Sequence, residues 1–351
     1  MRRPGRSLLI SVALCAAGSS SAAETGPVVL AVSRSHGDVV VLHPDTLEPI
    51  RRFAVGAGPH DIAVSDDGRL AVVPSFGVFP APHEEPIAPA DLQWRQGPSE
   101  GLAIVDLTTD DDSRQLALDD CKRPHGAAFA EPTRHIWITC DAEGEIREID
   151  PLSGRTVRVF HVAEGVHKVM LLPERNVLTA SNPSAGETYL IELEGERIDR
   201  FETGAGAEGL AANPDQSVVY VAQSGDRTVC GIDVVHRALG PCWPSGGRFP
   251  IALAVDEARE QIWVAHNASS DLVALSLETG EQLAKIELPS QPLGMAFDAR
   301  KRRLYVGLPR LNRVLLLDAD TRETLATTDT AMEVDDIDLH PASHFGYAPD
   351  T

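Results

Sequence analysis

One short phrase returns along this chain at fixed intervals. Pro59-His60-Asp61-Ile62, Pro124-His125-Gly126-Ala127 and Val166-His167-Lys168-Val169 carry it most fully. Glu208-Gly209-Leu210, Pro250-Ile251-Ala252, Pro292-Leu293-Gly294 and Val334-Asp335-Asp336 are weaker echoes. From the second copy onward the first residues fall at 124, 166, 208, 250, 292 and 334, a step of 42 each time. A repeat of this length, with strand-like text in every unit, is the signature of a propeller built from four-stranded blades. It restricts the fold severely and the activity very little, because propellers host many unrelated functions.

Each unit reads alike. In the first, the phrase leads into Ile62-Ala63-Val64, a polar turn Ser65-Asp66-Asp67-Gly68, and a second strand Leu70-Ala71-Val72-Val73. A loop and a third strand, Leu102-Ala103-Ile104-Val105, follow, and a more polar fourth strand ends the unit. Short β-branched runs punctuated by Gly, Pro, Asp and Asn are strand-and-hairpin text, and no segment shows helical periodicity. The expected class is therefore all-β.

The count closes a ring. The last phrase runs into Asp336-Ile337-Asp338-Leu339 with only a tail behind it. Val28–Val32, Val39–Leu42 and Ile50–Ala54 form a second, third and fourth strand with no first. The C-terminal strand should complete the N-terminal blade, giving seven blades and no open edge to aggregate. One spacing breaks the rule: His60 to His125 is 65 residues. The excess, residues 78–100, carries His83, Glu84, Glu85, Asp91 and Trp94. It reads either as a tolerated surface insertion or as a partial lid over one mouth of the channel.

The second strands resemble the YVTN-type β-propeller repeat family. The words are Val219-Tyr220-Val221-Ala222-Gln223, Ile262-Trp263-Val264-Ala265-His266-Asn267 and Leu304-Tyr305-Val306-Gly307. With the phrases above, the resemblance spans about residues 27 to 340. It implies an architecture and no particular chemistry, since the family shares a fold and no catalytic motif; propeller lactonases share that architecture.

The first 23 residues read as a secretory signal: Arg2, Arg3 and Arg6, then apolar Leu8–Ala17, then Ser21-Ala22-Ala23. The mature chain, 24–351, is expected to be one propeller domain, periplasmic or secreted, with no membrane span. Cleavage removes three arginines and no acid, taking the formal net charge from −21 to −24. Such a surface repels nucleic acid, whose binding rests on Lys and Arg. The expected partners are a small ligand, a metal ion or another exported protein, and the expected state is a monomer.

Export also bears on sulfur, because an oxidising compartment favours disulfides. Cys230 and Cys242 lie symmetrically about residue 236, the turn between a third and a fourth strand. That register sets them opposite one another on antiparallel neighbours. Cys121 precedes a phrase and Cys140 ends a second strand, so both belong to the upper face of one blade and form the second pair.

The phrases precede the innermost strands, so equivalent side chains should ring one channel mouth. In register that ring is His60, His125, His167, Gly209, Ile251, Leu293 and Asp335, with Glu208 one residue before its fourth position. Imidazole and carboxylate suit a divalent transition metal such as zinc or copper, so His60, His125, His167 and Asp335 are candidate metal ligands. The competing reading makes each Pro-His a structural peg bonded to a neighbouring blade. Lys168, Glu208, His266 and Arg310 are candidate ligand-binding residues, with Asn182, Asn267 and Asp141 in loops of the same face. Two further expectations follow. Metal affinity should fall near pH 6.5, where imidazole takes up a proton, and His125→Ala should spare the fold.

Two motif matches carry no chemistry. Gly204-Ala205-Gly206-Ala207-Glu208-Gly209 precedes a strand, whereas dinucleotide binding needs a helix terminus. Gly97-Pro98-Ser99-Glu100-Gly101 also leads into a strand, not the helix of a nucleophile elbow. The leading functional reading is non-catalytic binding at the histidine-bearing mouth. The alternatives are a lactonase-like propeller hydrolase, in which metal or His/Glu groups activate water, and a protein-interaction scaffold.

Overall fold

The computed structural model describes residues 27–34, 36–77, 101–109, 113–329 and 334–340. Residues 1–23, expected as a signal segment, and the insertion 78–100 lie outside the described residues.

Seven four-stranded antiparallel sheets form a seven-bladed β-propeller. The innermost strands of blades 2 to 7 are Ala63–Val64, Pro124–Ala130, Val169–Leu172, Ala207–Ala212, Pro250–Asp256 and Met295–Asp298. Blade 1 takes Val28–Ser33, Asp38–Leu42 and Pro49–Ala54 from the N-terminus, and its innermost strand, Val334–His340, from the C-terminus. Val32 pairs with Asp336, Ala31 with Ile337, Leu30 with Asp338 and Val29 with Leu339, which is the expected closure.

The sequence makes the blades stack. Val28, Leu30 and Val32 pack against blade 2 with Ala71, Val73 and Val105. Their neighbours Val29 and Ala31 point the other way, against Tyr305, Val314 and Leu316 of blade 7. Successive side chains of a strand face opposite sides, so a strand sandwiched between two blades must be apolar at every position. The other five interfaces repeat the pattern, and every blade boundary holds one buried apolar cluster. Each fully buried Val or Leu side chain stabilises by roughly 1.5–3 kcal/mol over exposure. Stability therefore resides mainly between blades.

Both expected disulfides are present, Cys121–Cys140 in blade 3 and Cys230–Cys242 in blade 5. Cys230 and Cys242 are direct register partners. No helix among the described residues is long and apolar enough to cross a membrane.

Candidate functional site: an imidazole arc at the channel mouth

The repeat register brings five side chains from five consecutive blades into one unbroken line. Asp335 of blade 1 places Oδ2 3.2 Å from His60 Nδ1 of blade 2. The His60 ring lies 3.9 Å, centroid to centroid, from His125 of blade 3. His125 lies 3.6 Å from His167 of blade 4. His167 Nε2 lies 3.3 Å from Oε2 of Glu208 in blade 5. The line thus runs carboxylate, three imidazoles, carboxylate.

Local structure fixes each member. A Cβ on Gly126 would lie 2.6 Å from the His167 carbonyl oxygen and 2.7 Å from the Val169 nitrogen. Only glycine lets blades 3 and 4 approach this closely, and His125 beside it meets His167 with the ring planes tilted by 37°. Thr139 Oγ1 pins the junction by accepting from the Gly126 N–H and donating to the His167 carbonyl, both at 2.7 Å. The His60 N–H donates to Pro74 O, that of His167 to Ser181 O, and Ser181 Oγ to Glu208 O. His125 itself is 1% exposed, and its Nδ1 has no hydrogen-bond partner among the described residues. Phe76 meets it edge-on at 5.3 Å.

One residue further along each phrase lies a second set. Lys168 Nζ donates to Asp61 Oδ1 at 2.8 Å and to Asp336 Oδ2 at 3.0 Å, joining blade 4 to blades 2 and 1. Arg34 Nη1 stands 3.5 Å from Asp335. The surrounding cavity, about 2770 Å³, is lined by His60, Asp61, Arg123, His167, Lys168, Glu208, Arg310, Asp335 and Asp336.

Burial governs the charges here, because removal from water disfavours the ionised form. It holds His60 and His125 well below the ordinary histidine range, helped by the charges of Arg34 and Lys168. It takes His167 down to about 3, again with help from Lys168. The imidazoles are thus neutral at pH 7. Burial lifts Glu208 to about 7 and Asp61 well above the carboxylate range. Burial also opposes ionisation of Asp336, but the Lys168 charge and hydrogen bonds with Asp61 and Lys168 leave it lowered overall. The two carboxylates hold Lys168 above its usual value in spite of burial.

The structure brings His60, His125, His167, Asp335 and Glu208 together and changes several expectations. His125 does not line the cavity; it is wedged between its two neighbours, so His125→Ala would not leave the fold untouched. One ring nitrogen of His60 and one of His167 face carboxylates. His266 does not face the channel: it is fully buried, with Nδ1 2.8 Å from Asp271 Oδ1, and belongs to the interior of blade 6. Asn182 is also buried and donates to the carbonyls of Ala163 and Glu164. Asn267, Arg310 and Asp141 do line the cavity, Asp141 bonded to Arg123 at 2.6 Å. Lys168 faces the channel, but with two carboxylates already on its ammonium group. Among the described residues no three His, Cys, Asp or Glu side chains stand in a metal-ligating arrangement as they lie.

Asp61, Asp336 and Arg34 were not singled out from sequence. The first two were within reach: they occupy the third column of the repeated phrase, as Lys168 does, beside the histidine column.

Residues 173–308, from blade 4 into blade 7, match the model of the SMP-30/gluconolactonase/LRE-like region. No curated protein matches the chain. Among solved structures, a functionally unknown protein from Desulfotomaculum acetoxidans superposes with a TM-score of 0.69 at 11% identity. That alignment covers 90% of this chain and 99% of the other. The dihydro-heme d1 dehydrogenase NirN, in complex with DHE, superposes with a TM-score of 0.61 at 16% identity. It covers 86% of this chain and 63% of that longer one. At these identities the likeness is one of fold. What the comparisons share is the propeller class, and the family match does not single out the YVTN type within it.

Proposed function

We propose that this is an exported propeller that binds a divalent transition-metal ion, zinc or copper by donor type, at the imidazole arc, and that binding is its role. One observation carries the reading: three neutral imidazoles on consecutive blades, flanked at both ends by carboxylates. Neutral imidazole is the ligand form. A carboxylate on one ring nitrogen is the usual outer support of a ligating histidine, and Asp335 and Glu208 occupy that place for His60 and His167. The unpartnered His125 Nδ1 is a third donor. Binding requires the rings to turn from stacking toward a common point, and His60 and His167, 20% and 22% exposed, border the cavity into which they can turn. Titration of chelator-stripped protein with zinc chloride should show one ion per chain. Absence of uptake, or uptake unchanged in a His60→Gln/His167→Gln variant, refutes the reading.

A second reading, hydrolysis of a lactone, draws on the match of residues 173–308 and on Glu208. A carboxyl lifted to about 7 beside His167 exchanges protons at neutral pH, as a general acid or base must. A lactone panel assayed with wild type and Glu208→Gln separates the two: turnover abolished by the substitution favours hydrolysis.

A further inference from the structure

The mouth is rich in carboxylates, and that should make it a site for the wrong metal. Asp61, Glu208, Asp335 and Asp336 face the same cavity. Hard divalent cations such as calcium seek clusters of oxygen ligands. Imidazole is the poorer ligand for them and the better one for zinc and copper. Such a mouth needs some device to keep these oxygens from deciding which ion is held.

Lys168 has the required geometry. Its ammonium group lies between Asp61 Oδ1 and Asp336 Oδ2, at 2.8 and 3.0 Å. It reaches them from blade 4, while the carboxylates arrive from blades 2 and 1, so the cation is delivered across the channel. Arg34 stands beside the remaining aspartate, Asp335, at 3.5 Å. The histidine column lies one residue back along each phrase.

We propose that Lys168 is a tethered cation that sets the metal preference of the mouth. It occupies the Asp61–Asp336 pair, excludes hard oxygen-seeking divalent ions from it, and leaves the imidazole arc as the donor set for a borderline metal. This preference rests on the metal reading of the arc, but the exclusion of calcium can be measured apart from it.

The test is calorimetric titration of chelator-stripped wild type, Lys168→Met and Lys168→Met/Asp61→Asn, each with zinc chloride and with calcium chloride. Wild type should show no calcium uptake in the channel. Lys168→Met should gain a calcium site at least tenfold tighter than anything in wild type, with a smaller change for zinc. The added Asp61→Asn should abolish the gain. If Lys168→Met does not fold, Lys168→Gln, which keeps a hydrogen-bond donor without the charge, replaces it. A folded variant with no calcium gain overturns the proposal, as does a gain that survives Asp61→Asn or equal calcium affinity in wild type. A wild type that takes up no zinc sinks the reading of the arc, while the calcium comparison still decides the role of Lys168.

Discussion

The imidazoles of His125 and His167 stack with 3.6 Å between ring centroids and 37° between their planes, across the boundary of blades 3 and 4. His60 also touches His125, at 3.9 Å between centroids, and lies 5.9 Å from His167. A buried ring in contact with two others is packing as well as donor, and the two roles can be separated by substitution. His125→Ala should leave a cavity and cost roughly 2–5 kcal/mol, the range for large-to-small changes in a core. His125→Phe keeps a planar ring of similar size and should cost less than about 1.5 kcal/mol. Denaturant midpoints measure both. Zinc uptake should be weakened in both variants, and normal uptake by His125→Phe would remove His125 from the ligand set.

The disulfides differ in what they hold. Cys230–Cys242 staples an outer hairpin of blade 5. Cys121–Cys140 lies at the mouth, where Asp141 follows Cys140 and bonds Arg123, two residues after Cys121. Replacing either pair by alanine should cost about 2–4 kcal/mol. Only loss of Cys121–Cys140 should alter zinc binding, since it loosens the segment that leads into His125. Equal effects on binding from the two replacements would contradict this.

How much of this was legible beforehand follows from what a repeat encodes. The step of 42 gave the blades, the closure of Val334–His340 on Val28–Ser33, and a histidine column whose members do meet. Periodicity assigns a residue to a column; it does not say how deep a side chain sits or what it faces. His125 and His60 share a column, yet one is fully buried and the other borders the cavity, because Gly126 draws blade 3 against blade 4. His266 stood in a plausible loop, but it ends a strand whose side chains alternate between two covered faces. The ion triad escaped notice for another reason. Its members lie 107 and 168 residues from Lys168, and only closure of the ring brings them together.

Acid stability should show the buried arc directly. His60, His125 and His167 have folded-state values below the ordinary 6.5, His167 at about 3. Between those limits the unfolded chain binds protons that the folded arc refuses, so their contribution is complete above pH 6.5 and is lost as pH falls. Glu208 at about 7, Asp141 at about 6 and the raised Asp61 act oppositely, binding protons more readily when folded. Lys168, Arg34, Asp335 and Asp336 complete the charged surroundings of the arc. The two sets largely offset each other from pH 6.5 to about 4.5, with buried His266, also lowered, adding to the histidine side; below that the unfolded carboxylates also take up protons, and the lowered Asp336 joins the histidines in the acid loss. Denaturant midpoints should be nearly level across the first interval. The unfolding free energy should then fall by up to about 1.4 kcal/mol per pH unit for each group that protonates in the unfolded chain and not in the folded one. Replacing His167 by Gln should make the acid limb shallower. Zinc uptake should persist below pH 6.5, since these imidazoles do not protonate there; loss centred on 6.5 would mean that the rings titrate as if exposed.

Ring closure makes the last prediction. Val334–His340 supplies the innermost strand of blade 1, with Val334 and Ile337 buried at the boundary with blade 7 and Asp335 and Asp336 at the mouth. Ending the chain at Asp329 removes that strand and exposes the edge of Val28–Ser33, and an uncovered apolar edge pairs with other chains. The truncated protein should aggregate or unfold without a cooperative transition. Loss of residues 330–351 could have other causes, so a permuted chain is the control. His340 lies opposite Val28 in the antiparallel register, which makes their ends the two sides of a natural hairpin. Joining them through a short two-to-five-residue turn, and opening the chain after Asp329, keeps every strand pair while dropping the segments outside 28–340 and changing the order of synthesis. The permutant should fold cooperatively, with a denaturant midpoint close to wild type and its zinc uptake intact. A truncated chain that stays soluble and unfolds as cooperatively as the permutant would show that the C-terminal strand is not what holds the ring shut.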